Sequence, residues 1–481
     1  MMIKKAFLLL AASLCLAFVP VSCEEPAPVP NPDEQEQEKP QEEVKLEALK
    51  GSVDLIGDMI FEKNPVFTLK IDNPNAVAVK AEVKVSLTTD KGASVESQVD
   101  SVEVAASGIT EVQLTFKTEL EPGFYTSRCL VNKKNAASLS FGVRPTEIVS
   151  APDMQPDFNE YWEAAKAQLP ELVEGETVVL QEIKSRSSAT HKIYRVEMQS
   201  VPNSIDGEPV IVRGFFVEPQ DGKKHPVLMH FFGWDDRGGS VTVPSGGNGD
   251  YTEFYLSTRG QYNNNRAASY EKTDALWLEE YGEWYAADPC KYASIMKPSD
   301  EYNWFGFNFG DLNGFYYRGA FMDTVQAVRF MASRATSDMN NLFAEGSSQG
   351  GALSYACAAL SDYPFTAIAP NVAFLGDYPD YFQIVSWPGN VAKENKGTMT
   401  DEEMYAFLSY FDTKNLATLI SCAVHASSGL KDGTCPPHTN FAPFNNLQTE
   451  DKVMIVDPKM GHSFPANWES KWKAFFKERM K

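Results

Sequence analysis

The chain has 481 residues, 43% hydrophobic and 12% aromatic, enough for two or three packed domains. Its formal net charge of −22 argues against a general nucleic-acid partner, which would need a basic surface.

Residues 1–23 read as a targeting segment rather than as structure. "MMIKK" is a short positive start, and "AFLLLAASLCLAFV" is an apolar run too short for a comfortable membrane span. "PVSC" followed at once by "EE" resembles a bacterial lipoprotein signal, with Cys23 as the lipidated residue, although Pro20 stands where leucine is usual. Ordinary secretion with cleavage nearby is the plainer alternative. The expectation is an exported outer-membrane lipoprotein, on the periplasmic or the cell-surface face. Residues 24–46 form an acidic, proline-rich linker; 24–45 carry eight acidic residues against two lysines. With almost no large apolar side chains, it should be an extended tether.

Residues 47–148 look all-β. "VFTLKIDNP", "VAVKAEVKVSLTTD", "ITEVQLTFKTEL", "GFYTSRCLVN" and "ASLSFGV" alternate apolar and polar positions and are broken by turn dipeptides. About seven short strands in this length suggest an immunoglobulin-like β-sandwich. It reads as a spacer or packing partner, with too few exposed aromatics to favour sugar binding.

Residues 150–481 change character. "DFNEYWEAAKAQLPEL" is an amphipathic helix. The runs "PVIVRGFFVEP", "HPVLMHFFG", "TEFYLSTRG", "NLFAE", "FTAIAPNVA", "CAVHASSG" and "KVMIVDP" then alternate with helices. This predicts a mostly parallel α/β sheet. The helix "GAFMDTVQAVRFMASR" puts Phe321, Val325, Val328 and Met331 on one face.

The stretch Gly346-Ser347-Ser348-Gln349-Gly350 is a G-x-S-x-G, and only Ser348 fits its frame. A serine on a tight strand-to-helix turn leaves little room for side chains two residues away. "NLFA" supplies the strand and "GGALSYACAAL" a helix of small residues. The motif is short and needs partners. A serine nucleophile requires a base, and the base an orienting acid. Three of the six histidines follow Ser348. His425 lies inside a predicted strand, and His438 stands near a helix start. His462 follows the strand "KVMIVDP", where the base belongs. The acid should follow the preceding strand, which favours Asp432 over Asp457, a residue too close in sequence to His462. An oxyanion hole would draw on the backbone N–H of Gln349 and of Trp234, after the strand "HPVLMHFFG".

Of seven cysteines, Cys15 and Cys23 belong to the signal. Cys129, Cys290, Cys357, Cys422 and Cys435 remain, with no disulfide spacing, and read as buried residues. Cys422-x-x-His425 and Cys435-x-x-His438 have finger-like spacing. A residue pair three apart on a strand points to opposite faces, so a metal site is rejected.

Taken together, "DFNEYW", "FFGWDDRGG", "STRGQ", "FYYRGAFMDTVQAVRF", "GSSQGG", "YFDTKNLATLISCAVHASSGLKDGTCPPHTNF" and "GH" resemble, in order, the motifs of carbohydrate esterase family seven. This is the family of acetyl xylan esterases and cephalosporin C deacetylases. The resemblance covers about two thirds of the chain, from about Pro152 to Lys481. It implies an α/β-hydrolase fold, with Ser348 as nucleophile, His462 as base, Asp432 as acid, and Gln349 and Trp234 as oxyanion donors. Arg259-Gly260-Gln261 matches the family's Arg-Gly-Gln motif. Trp234 replaces a usual tyrosine, and Ser463 replaces a usual glutamate after the base. The resemblance implies no cofactor and a homo-oligomer, commonly a closed hexamer, against which the lipid anchor and the added β domain weigh.

The stretch after "RGQ" is enlarged and aromatic-rich. Trp277, Trp284, Trp304, Phe307 and Phe309 would line a substrate rim or pack the insertion's own core. The expected activity is removal of acetyl groups from plant-derived oligosaccharides. The alternatives are hydrolysis of another acyl ester or a peptide on the same fold, or a surface glycan-binding lipoprotein without catalysis.

Overall fold

The computed structural model describes residues 46–202, 207–234, 241, 243–247, 249–260, 279 and 304–481. The chain divides after Leu46, and Glu47–Lys481 form one compact unit. The signal, Cys23 and the acidic linker lie outside the described residues, as do Gln261, Trp277, Trp284 and Cys290.

The alternation read from residues 47–148 becomes eight strands. A three-stranded sheet joins β1 (Lys50–Val53), β3 (Phe67–Asn73) and β6 (Gly108–Leu114). A five-stranded sheet takes β2 (Ile60–Phe61), β8 (Lys134–Val143), β7 (Gly123–Val131), β4 (Val79–Thr89) and β5 (Ser94–Val104), in that spatial order. Every second residue of β3 and β4 faces inward: Phe67, Leu69 and Ile71, and Ala81, Val83, Val85 and Leu87. They meet Phe141 of β8, whose ring lies 5.4 Å from that of Phe67.

The second region is a nine-stranded sheet. Its order is β17 (Lys452–Asp457), β16 (Ala423–Gly429), β15 (Ala367–Asn371), β14 (Ser337–Ser347), β12 (His225–Phe231), β13 (Thr252–Ser257), β11 (Pro209–Pro219), β10 (His191–Pro202) and β9 (Val178–Glu182). From β17 to β13 all pairings are parallel; β11, β10 and β9 add an antiparallel edge. The sequence reading missed β9 and β10. Lys192, Arg195 and Glu197 interrupt the apolar pattern of β10, as suits a strand near an edge.

The helices follow in chain order: α1 (Phe158–Lys166), α2 (Tyr316–Ala332), α3 (Gln349–Leu360), α4 (Tyr378–Ile384), α5 (Gly389–Asn395), α6 (Asp401–Ser409), α7 (Thr413–Leu416), α8 (Pro437–Asn446) and α9 (Trp468–Lys477). The central strands are apolar on both sides because helices cover both faces. Val227, Met229, Leu342 and Ala344 join the core under α2 and α3. Leu228 and Phe343, their sequence neighbours, face α9 through Trp472, Phe475 and Phe476. Helix α2 differs from the one-faced helix expected, because nearly all its residues are buried between the sheet and neighbouring helices. Buried donors on it find carbonyls: Gln326 Nε2 donates to those of Pro170 and Gln199 at 3.0 and 2.9 Å.

Helix α9 is the only C-terminal cover of the Leu228 face among the described residues, and Phe476 stacks on Phe343 at 4.8 Å with no exposure. Phe476→Ala is expected to cost about 3–5 kcal/mol through lost burial and a residual cavity. Urea unfolding of the two proteins measures it.

Candidate active site

The parallel strands end on one side of the sheet, and the candidate residues stand on the loops that follow them. Ser348 lies between β14 and α3 with φ 59° and ψ −118°. That is a strained conformation for a non-glycine residue. Its surroundings enforce it. The Ser348 N–H donates to the Asn371 carbonyl at 2.9 Å, and the Phe374 N–H donates to the Ser348 carbonyl at 3.0 Å. The two motif glycines allow the close approach. A Cβ on Gly346 would sit 2.3 Å from the Gly350 carbonyl oxygen, and one on Gly350 would sit 2.2 Å from that of Phe231.

His462 Nε2 lies 2.9 Å from Ser348 Oγ, and its Nδ1 lies 2.9 Å from Asp432 Oδ2. The pairing with a carboxylate assigns the proton to Nδ1, leaving Nε2 to accept from the hydroxyl. The Asp432 side chain is fully buried. Its other oxygen accepts the N–H groups of Thr434 and Cys435 at 2.8 and 2.9 Å. These contacts satisfy the acceptor oxygens of a carboxylate that has no access to water.

The acid and base loops are stitched together. The Leu430 N–H reaches the Asp457 carbonyl at 3.1 Å, and the Lys431 N–H reaches that of Met460 at 2.9 Å. Asp457 serves this turn; its carboxylate accepts the Lys459 N–H at 2.9 Å.

The other histidines have different surroundings. His425 stacks on Trp468 at 5.3 Å beneath α9, and burial pushes its pKa down to about 4. His438 is on the first turn of α8, 2.9 Å from Asp90.

The turn after β12 passes beside the serine. A Cβ on Gly233 would be 3.8 Å from Ser348 Cβ, so Trp234 follows directly at the site. Gln349 opens α3, and its buried side chain accepts from the Tyr317 hydroxyl at 3.1 Å.

A family model described as Acetyl xylan esterase (AXE1) matches residues 147–281 and 298–480. The chain belongs to this acetyl xylan esterase family. It is 24% identical over 351 residues to the acetyl esterase Axe7A of Xylanibacter ruminicola, covering 72% of each chain. Its fold is similar to that of an acetyl xylan esterase from Paenibacillus sp. R4, at 23% identity and a TM-score of 0.55, covering 70% of this chain and 98% of that one. A second similar structure is acetyl xylan esterase 1 from Thermoanaerobacterium sp. JW/SL YS485, at 23% identity and a TM-score of 0.51, with the same coverages. The chain is therefore a carboxylic ester hydrolase. The family match begins just after β8.

Within this esterase, Asn371 and Trp387 were not singled out from the sequence, and Cys435 was read only as a buried residue. Asn371 is fully buried; its amide donates to Ser347 Oγ at 2.7 Å and to the Ser463 carbonyl at 3.1 Å. Its carbonyl oxygen accepts from the Ser427 hydroxyl. One side chain thus ties the nucleophile turn, the base loop and β16. Cys435 is buried beside Ser348, and burial first, with Asp432 nearby, pushes its thiol pKa far above the usual range. Trp387 stacks on Phe374 at 5.2 Å and meets Trp234 edge-on at 5.7 Å. With 36% of its surface exposed, it offers an open aromatic wall beside Ser348.

The rim expectation needs correction. Trp304 has no exposure and packs on Tyr316 at 5.0 Å, so it belongs to the core. Phe309 packs against Phe407 at 5.0 Å, and Phe307 is also packed on the core. Trp304, fully buried, has no face to give a sugar, whereas Phe307 and Phe309 are only half-buried against the core.

Arg259 and Gly260 of the Arg-Gly-Gln motif have structural roles. Arg259 forms a two-pronged buried ion pair with Asp323, at 2.7 and 2.5 Å. Gly319 makes room for it, because a Cβ there would be 2.2 Å from the guanidinium. Gly260 turns the chain at φ 71°.

Arg259→Leu would strand the Asp323 charge in the core and is expected to cost about 3–5 kcal/mol. The double variant Arg259→Leu/Asp323→Leu should recover part of that loss, as read by chemical unfolding of all three proteins.

Proposed function

We propose that this esterase removes O-acetyl groups from xylan-type oligosaccharides through an acyl-enzyme on Ser348. The observation that carries the reading is the continuous Ser348–His462–Asp432 chain, with both links at 2.9 Å. Ser348 Oγ attacks the acetyl carbonyl as its proton passes to His462 Nε2. Asp432 holds the imidazole in the useful tautomer and balances its positive charge. The N–H groups of Gln349 and Trp234 are assigned to the developing oxyanion. The proton on His462 then goes to the departing sugar oxygen. Water follows the same path in reverse, and acetate leaves. Each step uses groups of this chain alone.

The acetylated sugar as substrate is supported by the family and by the partly open rings of Trp234 and Trp387, backed by the buried Phe374. Aromatic faces suit the apolar face of a pyranose. Residues 47–148 are assigned to an immunoglobulin-like sandwich, a reading supported by two packed sheets sharing alternating inward residues. Cys23 is assigned as the lipid-bearing residue, with the acidic tether spacing an outer-membrane anchor from the fold. The motif around Cys23 and the polar composition after it support that placement.

Acetate release from acetylated xylo-oligosaccharides should be readily measured for the wild type. Ser348→Ala should lower kcat by at least roughly 10³-fold, and Asp432→Asn by roughly 10²- to 10⁴-fold. Retention of acetate release by Ser348→Ala would overturn the mechanism.

A further inference from the structure

The hairpin turn between β4 and β5 extends two charged side chains onto the esterase helices. Asp90 and Lys91 reach the helices that wall the active site. Asp90 Oδ2 lies 2.9 Å from His438 Nδ1 on α8. Lys91 Nζ lies 2.6 Å from Asp380 Oδ1 on α4. His438 Nε2 lies 3.0 Å from Asp380 Oδ2. This last contact is close but poorly aligned for a hydrogen bond, so charge is its main content. The four groups close a ring of alternating charge: Asp90, His438, Asp380, Lys91.

The ring sits on one face of α8 that is committed to the β-strand region. Phe441, one turn after His438, packs on Phe124 of β7 at 5.5 Å. Asn445, one turn further, donates to the Pro145 and Ile148 carbonyls at 3.0 and 3.1 Å. The N-terminus of α8 leads straight from the Asp432 loop. Asn440 of α8 donates to the Cys435 carbonyl at 3.1 Å, and Cys435 donates its N–H to Asp432. On α4, Tyr381 next to Asp380 donates its hydroxyl to the Thr434 carbonyl. Both ends of the ring are therefore one residue or one turn from groups that hold Asp432.

We propose that the Asp90–Lys91 turn is a positioning element of the ester-hydrolysis site, a salt-bridge latch that sets α4 and α8 around the Asp432 loop. The inference rests on the esterase reading of Ser348 and extends it to residues outside the family match.

A neutral imidazole has one N–H, whereas His438 faces a carboxylate on each nitrogen, so the latch requires the charged ring. Burial alone would lower its pKa, but Asp380 and Asp90 outweigh that and raise it to about 9. Asp380, for which burial acts upward, is pulled down to about 2 by His438 and Lys91. Further charged groups around the start of α4 are Asp377 and Lys414 of α7, which bond each other at 3.0 Å, Asp153, 3.2 Å from Lys414, and Asp412, which accepts the Asp377 and Tyr378 N–H groups and whose pKa burial raises to about 7; Tyr405 of α6 faces Asp380. Since the folded pKa of His438 lies above the ordinary value of 6.5, the latch's stabilisation is complete below that value and is lost as pH rises through about 9.

The test compares the full chain as wild type, Asp90→Asn, Lys91→Met, His438→Gln and Ser348→Ala. The readout is kcat and KM for an aryl acetate from about pH 6 to about pH 10, a range bracketing histidine titration, with spontaneous hydrolysis subtracted. Asp90→Asn and Lys91→Met should lower kcat by roughly 3- to 30-fold with little change in KM. The wild type should lose kcat as pH rises through about 9. In Asp90→Asn that loss should begin at lower pH, and in His438→Gln it should vanish. Asp90→Glu should restore the wild-type profile. Active variants with wild-type kcat and an unmoved alkaline limb would overturn the latch, even if their melting temperatures fall. A wild type no more active than Ser348→Ala would instead overturn the esterase reading itself.

Discussion

The backbone at Ser348 is the constraint on which the site depends. A φ of 59° at a serine costs free energy and persists only because neighbours on every side fix it. The Asn371 carbonyl takes its N–H, and Phe374 takes its carbonyl. Gly346 and Gly350 remove the side chains that would block the turn. The hydroxyl is thereby lifted off the end of β14 toward His462. Without that turn the same serine would be the last residue of a strand.

Asp432 and His462 reach Ser348 because the sheet orders the strands that precede them. β14, β15, β16 and β17 are consecutive neighbours, so the loops after them crowd at one end. Short backbone bonds then join the Asp432 and His462 loops. Asn371 adds a side-chain tie to both the nucleophile turn and the residue after the base. That residue is Ser463, where the family usually has glutamate, and it is held here through its carbonyl. The buried charges obey one rule throughout: Asp432, Asp323 and Asp380 each have donors or a cation in contact.

The β-strand region contributes more than distance. It meets α8 through an ion pair, an aromatic contact and two amide–carbonyl bonds on successive turns. α8 in turn begins where the acid loop ends. A segment outside the family match is thus packed against the part of the esterase that holds its carboxylate.

Much of this was legible in the sequence. Period-two alternation marks β3 and β4, continuous apolar runs mark the central strands, and G-x-S-x-G marks the turn at Ser348. His462 and Asp432 could be singled out because each follows an apolar strand run. Such signals are local: they depend on residues a few positions apart. The rest depends on contacts between distant segments. Nothing near Asn371 announces Ser463, 92 positions away, and nothing near Asp90 announces His438, 348 positions away. Trp304 looks like a rim residue in its aromatic-rich stretch, and only packing against Tyr316 makes it core. Composition and spacing determined most of the elements and singled out Ser348, Asp432 and His462, which the fold brings into one hydrogen-bonded chain. The tertiary structure alone decided which polar side chains are paired, which rings are open, and what braces the acid, because burial and hydrogen bonding are properties of the assembled sheet and its helices.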